Sequence, residues 1–140
     1  MRKFPKRSIY INVGEPARIF KLALSGELLR GGEIERFERA IAEFTGAGYA
    51  AAAGSGRCAL SLILKAAGLR AGDEIIVCAY NYPGLVAALL KENYRVVPVD
   101  AGPGGFQMDA SGVESSIGSR TRAVIATHLY GQPCDIRGIC

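Results

Sequence analysis

Three short clusters in this sequence combine residue types that could do chemistry. The first is Gly54-Ser55-Gly56-Arg57, set between a run of small residues, Tyr49-Ala-Ala-Ala-Ala53, and an apolar-patterned stretch from Arg57 to Ala67. A glycine-rich turn that opens a helix offers unpaired N–H groups and the positive end of the helix dipole, and together these can hold a phosphate. Gly56 would let the backbone come close to such a ligand, and the Arg57 guanidinium suits phosphate oxygens. Many turns of this kind carry glycines for steric reasons alone, so the turn by itself leaves both readings open.

The second cluster, Cys78-Ala-Tyr80-Asn-Tyr82-Pro83-Gly84, follows an apolar run that reads as a strand. Ligands of parallel sheets bind at the C-terminal ends of the strands. Two tyrosines there could stack on a flat ring, or they could simply cap the core. The third cluster is His128, just before Tyr130-Gly131-Gln132. As the sole histidine it invites a catalytic role, although a hydrogen-bonded structural histidine is the commoner case. A fourth pattern is excluded by its context. Gly46-Ala-Gly48-Tyr-Ala-Ala51 matches G-x-G-x-x-A, but it follows a helix and lacks an acidic residue near position 70 at the end of a second strand.

The elements that must position these residues can be read from periodicity. Glu15 to Leu24 is weakly helical, and the glycines of Ser25 to Gly32 mark a loop. Ile34, Phe37, Ala40, Ile41 and Phe44 recur at helical spacing with charges between them, up to a stop at Thr45-Gly46. Tyr49–Ala53 reads as a short strand and Arg57 to Ala67 as a helix. Glu74 to Ala79 reads as a buried strand, Gly84 to Glu92 as a helix and Tyr94 to Val99 as a strand. Asp109 is expected to cap a helix running to Ile117, and Arg122 to Thr127 is the fourth strand. Asp135 would cap a further helix starting at Ile136. Strands alternating with helices imply βαβ crossovers and a mostly parallel sheet, the α/β class.

Composition agrees. In 140 residues, 49% are hydrophobic and 21% charged, which suits one domain with a real core and argues against disorder. The formal charge of +4 resides in Arg2, Lys3, Lys6 and Arg7; without them 13 basic residues face 13 acidic ones. A short basic arm with no aromatic-studded groove is a poor nucleic-acid signature. The longest apolar stretch, Ile75 to Leu90, is interrupted by Asn81, Pro83 and Gly84 and is too short to span a bilayer. No signal peptide is evident after the basic arm. Cys58, Cys78, Cys134 and Cys140 show no C-x-x-C spacing, so reduced thiols and a cytoplasmic location are expected.

Taken together, these segments resemble the DegT/DnrJ/EryC1/StrS aminotransferases, pyridoxal-phosphate (PLP) enzymes of fold type I that commonly aminate nucleotide-linked keto-sugars. The resemblance runs from about Phe20 to Cys140. It is carried by Ser25-Gly26 with Gly31, Phe37-Glu38, Ser55-Gly56-Arg57-Cys58-Ala59-Leu60, Gly68-Leu69-Arg70-Ala71-Gly72-Asp73-Glu74-Ile75-Ile76-Val77, Pro98-Val99-Asp100 and His128-Leu129-Tyr130-Gly131-Gln132-Pro133-Cys134-Asp135. It implies a partial three-layer α/β/α fold, the N-terminal part of the large PLP domain. Residues 1–20 would form a basic arm and residues 21–140 the incomplete domain.

The resemblance also implies roles. Gly56 and Arg57 occupy the positions that bind the cofactor phosphate, and Tyr82 matches an aromatic residue that stacks on the pyridine ring. The Ser25 to Gly32 segment lies near the sugar-facing loop. The family's partners would be a nucleotide-sugar, an amino donor and a second copy of the chain, with neither nucleic acid nor membrane. Several residues depart from the pattern: Arg57 stands where Thr or Ser is usual, Cys78 replaces Pro, Asn81 replaces Thr, and Pro83-Gly84 replaces an apolar-Ala pair. Leu29-Arg30-Gly31-Gly32 replaces a hydroxyl-rich turn.

The family places its cofactor-bearing lysine, and the aspartate that pairs with the pyridine nitrogen, well past position 140. None of Lys3, Lys6, Lys21, Lys65 or Lys91 has the family's lysine context. Ser61-Leu-Ile-Leu-Lys65 only mimics the spacing. No residue is therefore assigned a catalytic or metal-binding role, and the chain alone is expected to be inactive. Two other readings are a shortened paralogue, holding PLP or a nucleotide or pairing with a full-length subunit, and a fragment without function. With four strands, the Tyr49 strand is expected either detached or re-paired, since its family neighbours come from later in the chain.

Overall fold

The computed structural model describes residues 12, 14–26 and 32–140. The basic residues at positions 2, 3, 6 and 7, and Leu29-Arg30-Gly31 of the expected sugar-facing loop, lie outside the described residues. The chain divides into two units, Met1–Ala52 and Ala53–Cys140.

Among the described residues the first unit holds two helices, α1 (Gly14–Ser25) and α2 (Gly32–Thr45). Residue 20, the expected limit of the basic arm, falls inside α1. Arg18 of α1 pairs with Glu33 of α2 at 3.0 Å, and Glu33 also pairs with Arg36. Thr45 ends α2 by turning its hydroxyl back onto the Ile41 carbonyl at 2.8 Å, and Gly46 then takes a left-handed φ of 70°.

The expected strand at Tyr49–Ala53 does not form. Neither anticipated fate applies as stated, because no strand is present there to be detached or re-paired. Ala52 N–H donates to the Glu38 carboxylate at 2.7 Å, so a side chain of α2 satisfies this backbone where a ladder would otherwise do so. Alanines bury little surface, and Tyr49 is 96% exposed, so nothing apolar draws the segment into a sheet.

The second unit is a three-layer α/β/α arrangement. It contains α3 (Gly56–Ala66), β1 (Glu74–Cys78), α4 (Pro83–Lys91), β2 (Arg95–Val99), α5 (Ala110–Ser116), β3 (Thr121–Ile125) and a terminal turn of helix, α6 (Ile136–Ile139). Its sheet has three strands among the described residues, not four. They are ordered β2-β1-β3 and all parallel, with Ile76 opposite Val97 on one side and Val124 on the other.

The strand β1 is central, and its apolar run is buried on both faces, as such a run requires. Ile75 and Val77 face a cluster with Leu64 of α3, Leu89 of α4 and Tyr94. Ile76 and Cys78 face the opposite layer, where Met108 and Val113 pack with Val99. Each of these side chains contributes roughly 1.5–3 kcal/mol of burial.

The helix ends are built from local chemistry. Past α3, Gly68 N–H bonds the Lys65 carbonyl and Leu69 N–H bonds the Leu64 carbonyl, a closure that needs the φ of 82° seen at Gly68. Asn93 closes α4 in the same way at φ 63°. Pro83 opens α4 at its first position, where no N–H is needed. Asp109 and Asp135 cap α5 and α6 as expected, accepting from Gly112 N–H and Gly138 N–H.

Candidate functional site

The N-terminus of α3 carries the glycine turn. Ser55 is its N-cap, and the Ser55 hydroxyl accepts from Cys58 N–H at 3.2 Å. The amides of Gly56 and Arg57 lie in the first turn, where helix geometry supplies no intrahelical acceptor. A Cβ built on Gly56 would meet nothing within 4 Å, so the space beside the turn is open to a ligand.

Arg57 lines the groove between α3 and α4, beside Ser61, Ala88 and Glu92. Farther along that groove Lys65 pairs with Glu92 at 3.3 Å. This register means that the two helices run parallel, so the turn at Gly56 and the start of α4 face the same end of the sheet. Because α4 follows β1, that end is the C-terminal edge, where parallel sheets bind ligands. The Glu92 carboxyl lies below the usual carboxylate range, first through a hydrogen bond from Ser61 and then through Lys65.

At the same edge the loops after β1, β2 and β3 are tied together. Asn81 Nδ2 donates to Thr127 Oγ1 at 3.0 Å, linking the exits of two neighbouring strands. The Tyr80 and Tyr130 hydroxyls are 3.2 Å apart. Phe106 packs between these rings, its centroid 5.2 Å from Tyr80 and 5.4 Å from Tyr130, the latter edge-on. The hydrogen bond with Tyr130, followed by the charge interaction with that phenol, raises the pKa of Tyr80.

Tyr82 stands apart from this cluster. It is the N-cap residue of α4, its ring lies against Gly84, and it is 63% exposed. The two tyrosines left open by the sequence therefore do different things. Tyr80 joins an aromatic cluster with residues 26 and 50 positions away, whereas Tyr82 keeps an open face.

His128 is engaged through one ring nitrogen. Its Nδ1 accepts the backbone N–H of Cys134 at 2.9 Å, which closes the turn through Leu129–Gly131. Phe106 and Thr127 were not singled out by the sequence as contributors to this edge. Phe106 follows a glycine-rich loop with no periodicity, and only its place in space shows what it touches. Among the described residues no group of three or more His, Cys, Asp or Glu side chains is placed to hold a metal ion, and no helix is long and apolar enough to cross a membrane.

A parallel sheet with a capped glycine turn and aromatic residues along its C-terminal edge has the form of the fold type I PLP enzymes, and solved structures of that class superpose on this chain. The chain belongs to the DegT/DnrJ/EryC1/StrS aminotransferase family, whose sequence profile matches residues 11–140.

Among its curated relatives, a dTDP-3-amino-3,6-dideoxy-alpha-D-galactopyranose transaminase of Aneurinibacillus thermoaerophilus is 36% identical over 115 residues, covering 82% of this chain and 32% of the relative. A GDP-perosamine synthase of Escherichia coli O157:H7 is 36% identical over 110 residues, covering 79% of this chain and 30% of the relative. The chain thus spans about a third of the length of these relatives.

Among solved structures, S. venezuelae DesV in complex with a ketimine intermediate matches with TM-score 0.75 and 32% identity, over 90% of this chain and 36% of that one. Spr1654 of Streptococcus pneumoniae in its PLP form matches with TM-score 0.85 and 25% identity, over 99% of this chain and 35% of that one.

Proposed function

We propose that this chain is the N-terminal cofactor-domain portion of a PLP-dependent aminotransferase that acts on a keto-sugar carried by a nucleotide. The observation that carries this reading is the family match over residues 11–140, joined to an open, serine-capped turn at the edge where the fold binds ligands. The residues fit the cofactor. A phosphate placed at Gly56 would meet first-turn amides and the helix dipole without a Cβ in the way, and Arg57 is one residue further on. Tyr82 offers an exposed ring face for a flat heterocycle.

When bound, PLP supplies the electron sink that lets an amino group move between carbon skeletons. In this reading the chain's own residues bind and orient. Gly56 and Arg57 anchor the phosphate, Tyr82 fixes the ring plane, and the Asn81–Thr127 bond holds the loops on either side in register. Lys65 is engaged with Glu92 on the α3–α4 face, which supports leaving it out of the chemistry. No residue of this chain is given the cofactor-bearing role, and turnover is assigned to the lysine and aspartate that the family carries elsewhere. The same reading makes the protein a cytoplasmic homodimer, with neither nucleic acid nor membrane as partner.

The test is to purify the protein, titrate it with pyridoxamine 5′-phosphate, and assay amino transfer to a nucleotide keto-sugar. Binding that is lost on blocking the Gly56 turn supports the reading. Binding without turnover is what the reading expects of these 140 residues by themselves. It also fits the alternative, a shortened paralogue that holds the cofactor or pairs with a complete subunit. Turnover by these residues alone would overturn both. No binding at all overturns the cofactor assignment.

A further inference from the structure

Tyr130 holds a backbone conformation that suits few side chains and that burial does not repay. Its φ of 54° and ψ of 25° lie in the left-handed region, where a bulky residue is an outlier. Gly131 beside it, at φ 80°, takes the same region at no steric cost. Tyr130 is nonetheless 78% exposed, so core packing does not account for a tyrosine here. Strain of this kind persists where surrounding contacts over-determine it, and it gathers at sites where position matters.

The contacts that hold the turn reach the exits of both other strands. The Tyr130 hydroxyl lies 3.2 Å from that of Tyr80, in the segment after β1. Phe106, in the loop after β2, meets the Tyr130 ring edge-on at 5.4 Å. Two residues beyond Tyr130, the Gln132 carbonyl accepts from Gln107 Nε2 at 3.2 Å, a second tie to that loop. The turn after β3 therefore clamps the other two exits.

The segment gripped after β1 leads directly into Tyr82. Asn81, next to Tyr80, donates to Thr127 Oγ1 at 3.0 Å and accepts Tyr82 N–H at 2.8 Å. Residues 80 and 81 are thus both tied to the exit of β3, at two consecutive points. A binding residue carried on a segment already ordered costs less to fix when the ligand arrives, and affinity rises accordingly.

We infer that Tyr130 is a positioning residue: held in a strained turn, it pins the Tyr80–Tyr82 segment through the Tyr80 hydroxyl and so sets where the cofactor's heterocycle is received. This rests on the reading of Tyr82 as the stacking residue. Tyr130 acts only through Tyr80.

The experiment is a double-mutant cycle between Tyr80→Phe and Tyr130→Phe in the full protein, since each change deletes one hydroxyl and keeps its ring. Pyridoxamine 5′-phosphate is the probe, with affinity read by titration. Amide hydrogen exchange of residues 80 to 82 and thermal unfolding are read without it. Tyr130→Phe weakens the probe roughly three- to tenfold, the range spanned by one net hydrogen bond. It also speeds exchange at residues 80 to 82 while the unfolding midpoint stays in place. In a Tyr80→Phe background the same change does nothing further, because the hydroxyl pair is already broken. Tyr130→Asn, which tolerates the left-handed backbone but lacks the ring, weakens the probe more without unfolding earlier.

If Tyr82→Ala weakens binding and neither Tyr130 variant does, the positioning role is overturned while the stacking assignment stands. If Tyr130→Phe weakens binding equally with and without the Tyr80 hydroxyl, or leaves exchange at residues 80 to 82 unchanged, Tyr130 acts by another route and the inference is wrong. If Tyr82→Ala itself has no effect, the stacking assignment fails and the positioning role fails with it.

Discussion

The Nδ1 atom of His128 accepts the backbone N–H of Cys134 at 2.9 Å, across six residues. The turn so closed contains Tyr130 at φ 54° and Gly131 at φ 80°, two successive left-handed residues. For a bulky tyrosine that conformation is costly, by about 1–2 kcal/mol. It is held because Tyr130 reaches Phe106 and the Tyr80 hydroxyl on one side, while His128 fixes the far end of the turn.

His128→Ala is therefore expected to lower stability by about 1–2 kcal/mol, through an unsatisfied amide at Cys134. His128→Asn, which keeps a side-chain acceptor, should lose less. Urea unfolding of the two variants checks this. A wild-type midpoint in His128→Ala would show that the bond contributes nothing.

The four cysteines should separate by reactivity. Cys58 and Cys140 are exposed, whereas Cys78 and Cys134 are buried. Burial pushes the Cys134 thiol pKa up, and the nearby Cys78 adds to that, although a backbone hydrogen bond opposes it. Both effects keep the thiol protonated and slow to react. Titration of the native protein with a disulfide reagent should show two fast thiols and two that react only on unfolding. Four equally fast thiols would contradict the packing on that face of the sheet.

Glu92 gives the protein an acid-sensitive contact. Its carboxyl is held below the ordinary range, first by Ser61 and then by Lys65. A carboxylate depressed in the folded state stabilises fully above its unfolded pKa, and that contribution is lost as pH falls through the lower folded value. The effect is therefore confined to pH below the normal carboxylate range, and it is small because the group is solvent-screened. Glu92→Gln should lower stability slightly at neutral pH, where the contribution is full, leave it unchanged at the acid end, and so flatten the acid limb. An unaltered acid limb would remove Glu92 from the account.

The α3 turn separates stability from binding. Ser55→Ala removes the cap on Cys58 N–H and should cost about 1 kcal/mol of stability. Gly56→Ala adds a methyl into open space, so folding should be unaffected, while the approach of a phosphate is obstructed. Paired measurements of unfolding and of pyridoxamine 5′-phosphate affinity distinguish the two. If Gly56→Ala binds the probe as the wild type does, the phosphate site is elsewhere.

Much of the fold was legible because its signals are local. The apolar run of β1, the helical spacing of Phe37 and Ile41 in α2, the caps at Asp109 and Asp135 and the stop at Gly68 each depend on neighbours a few residues away. The family motifs were legible for the same reason, as short segments in a fixed order. Tyr49–Ala53 misled because a strand is defined by a pairing partner, and a row of alanines carries no record of whether one is present. Its backbone instead found Glu38.

The site divides along the same line. Sequence alone could determine that a glycine turn opens a helix, that tyrosines follow a strand, and that one histidine follows another. It left open which tyrosine stacks and whether the histidine acts. The tertiary structure shows what each of these side chains touches. Tyr80 meets Phe106 and Tyr130 because parallel strands bring their C-terminal ends to one edge, and the His128 ring is occupied by a backbone amide. Local pattern specifies which element forms, but side-chain contacts between loops depend on crossover geometry, and that is set only when the layers pack.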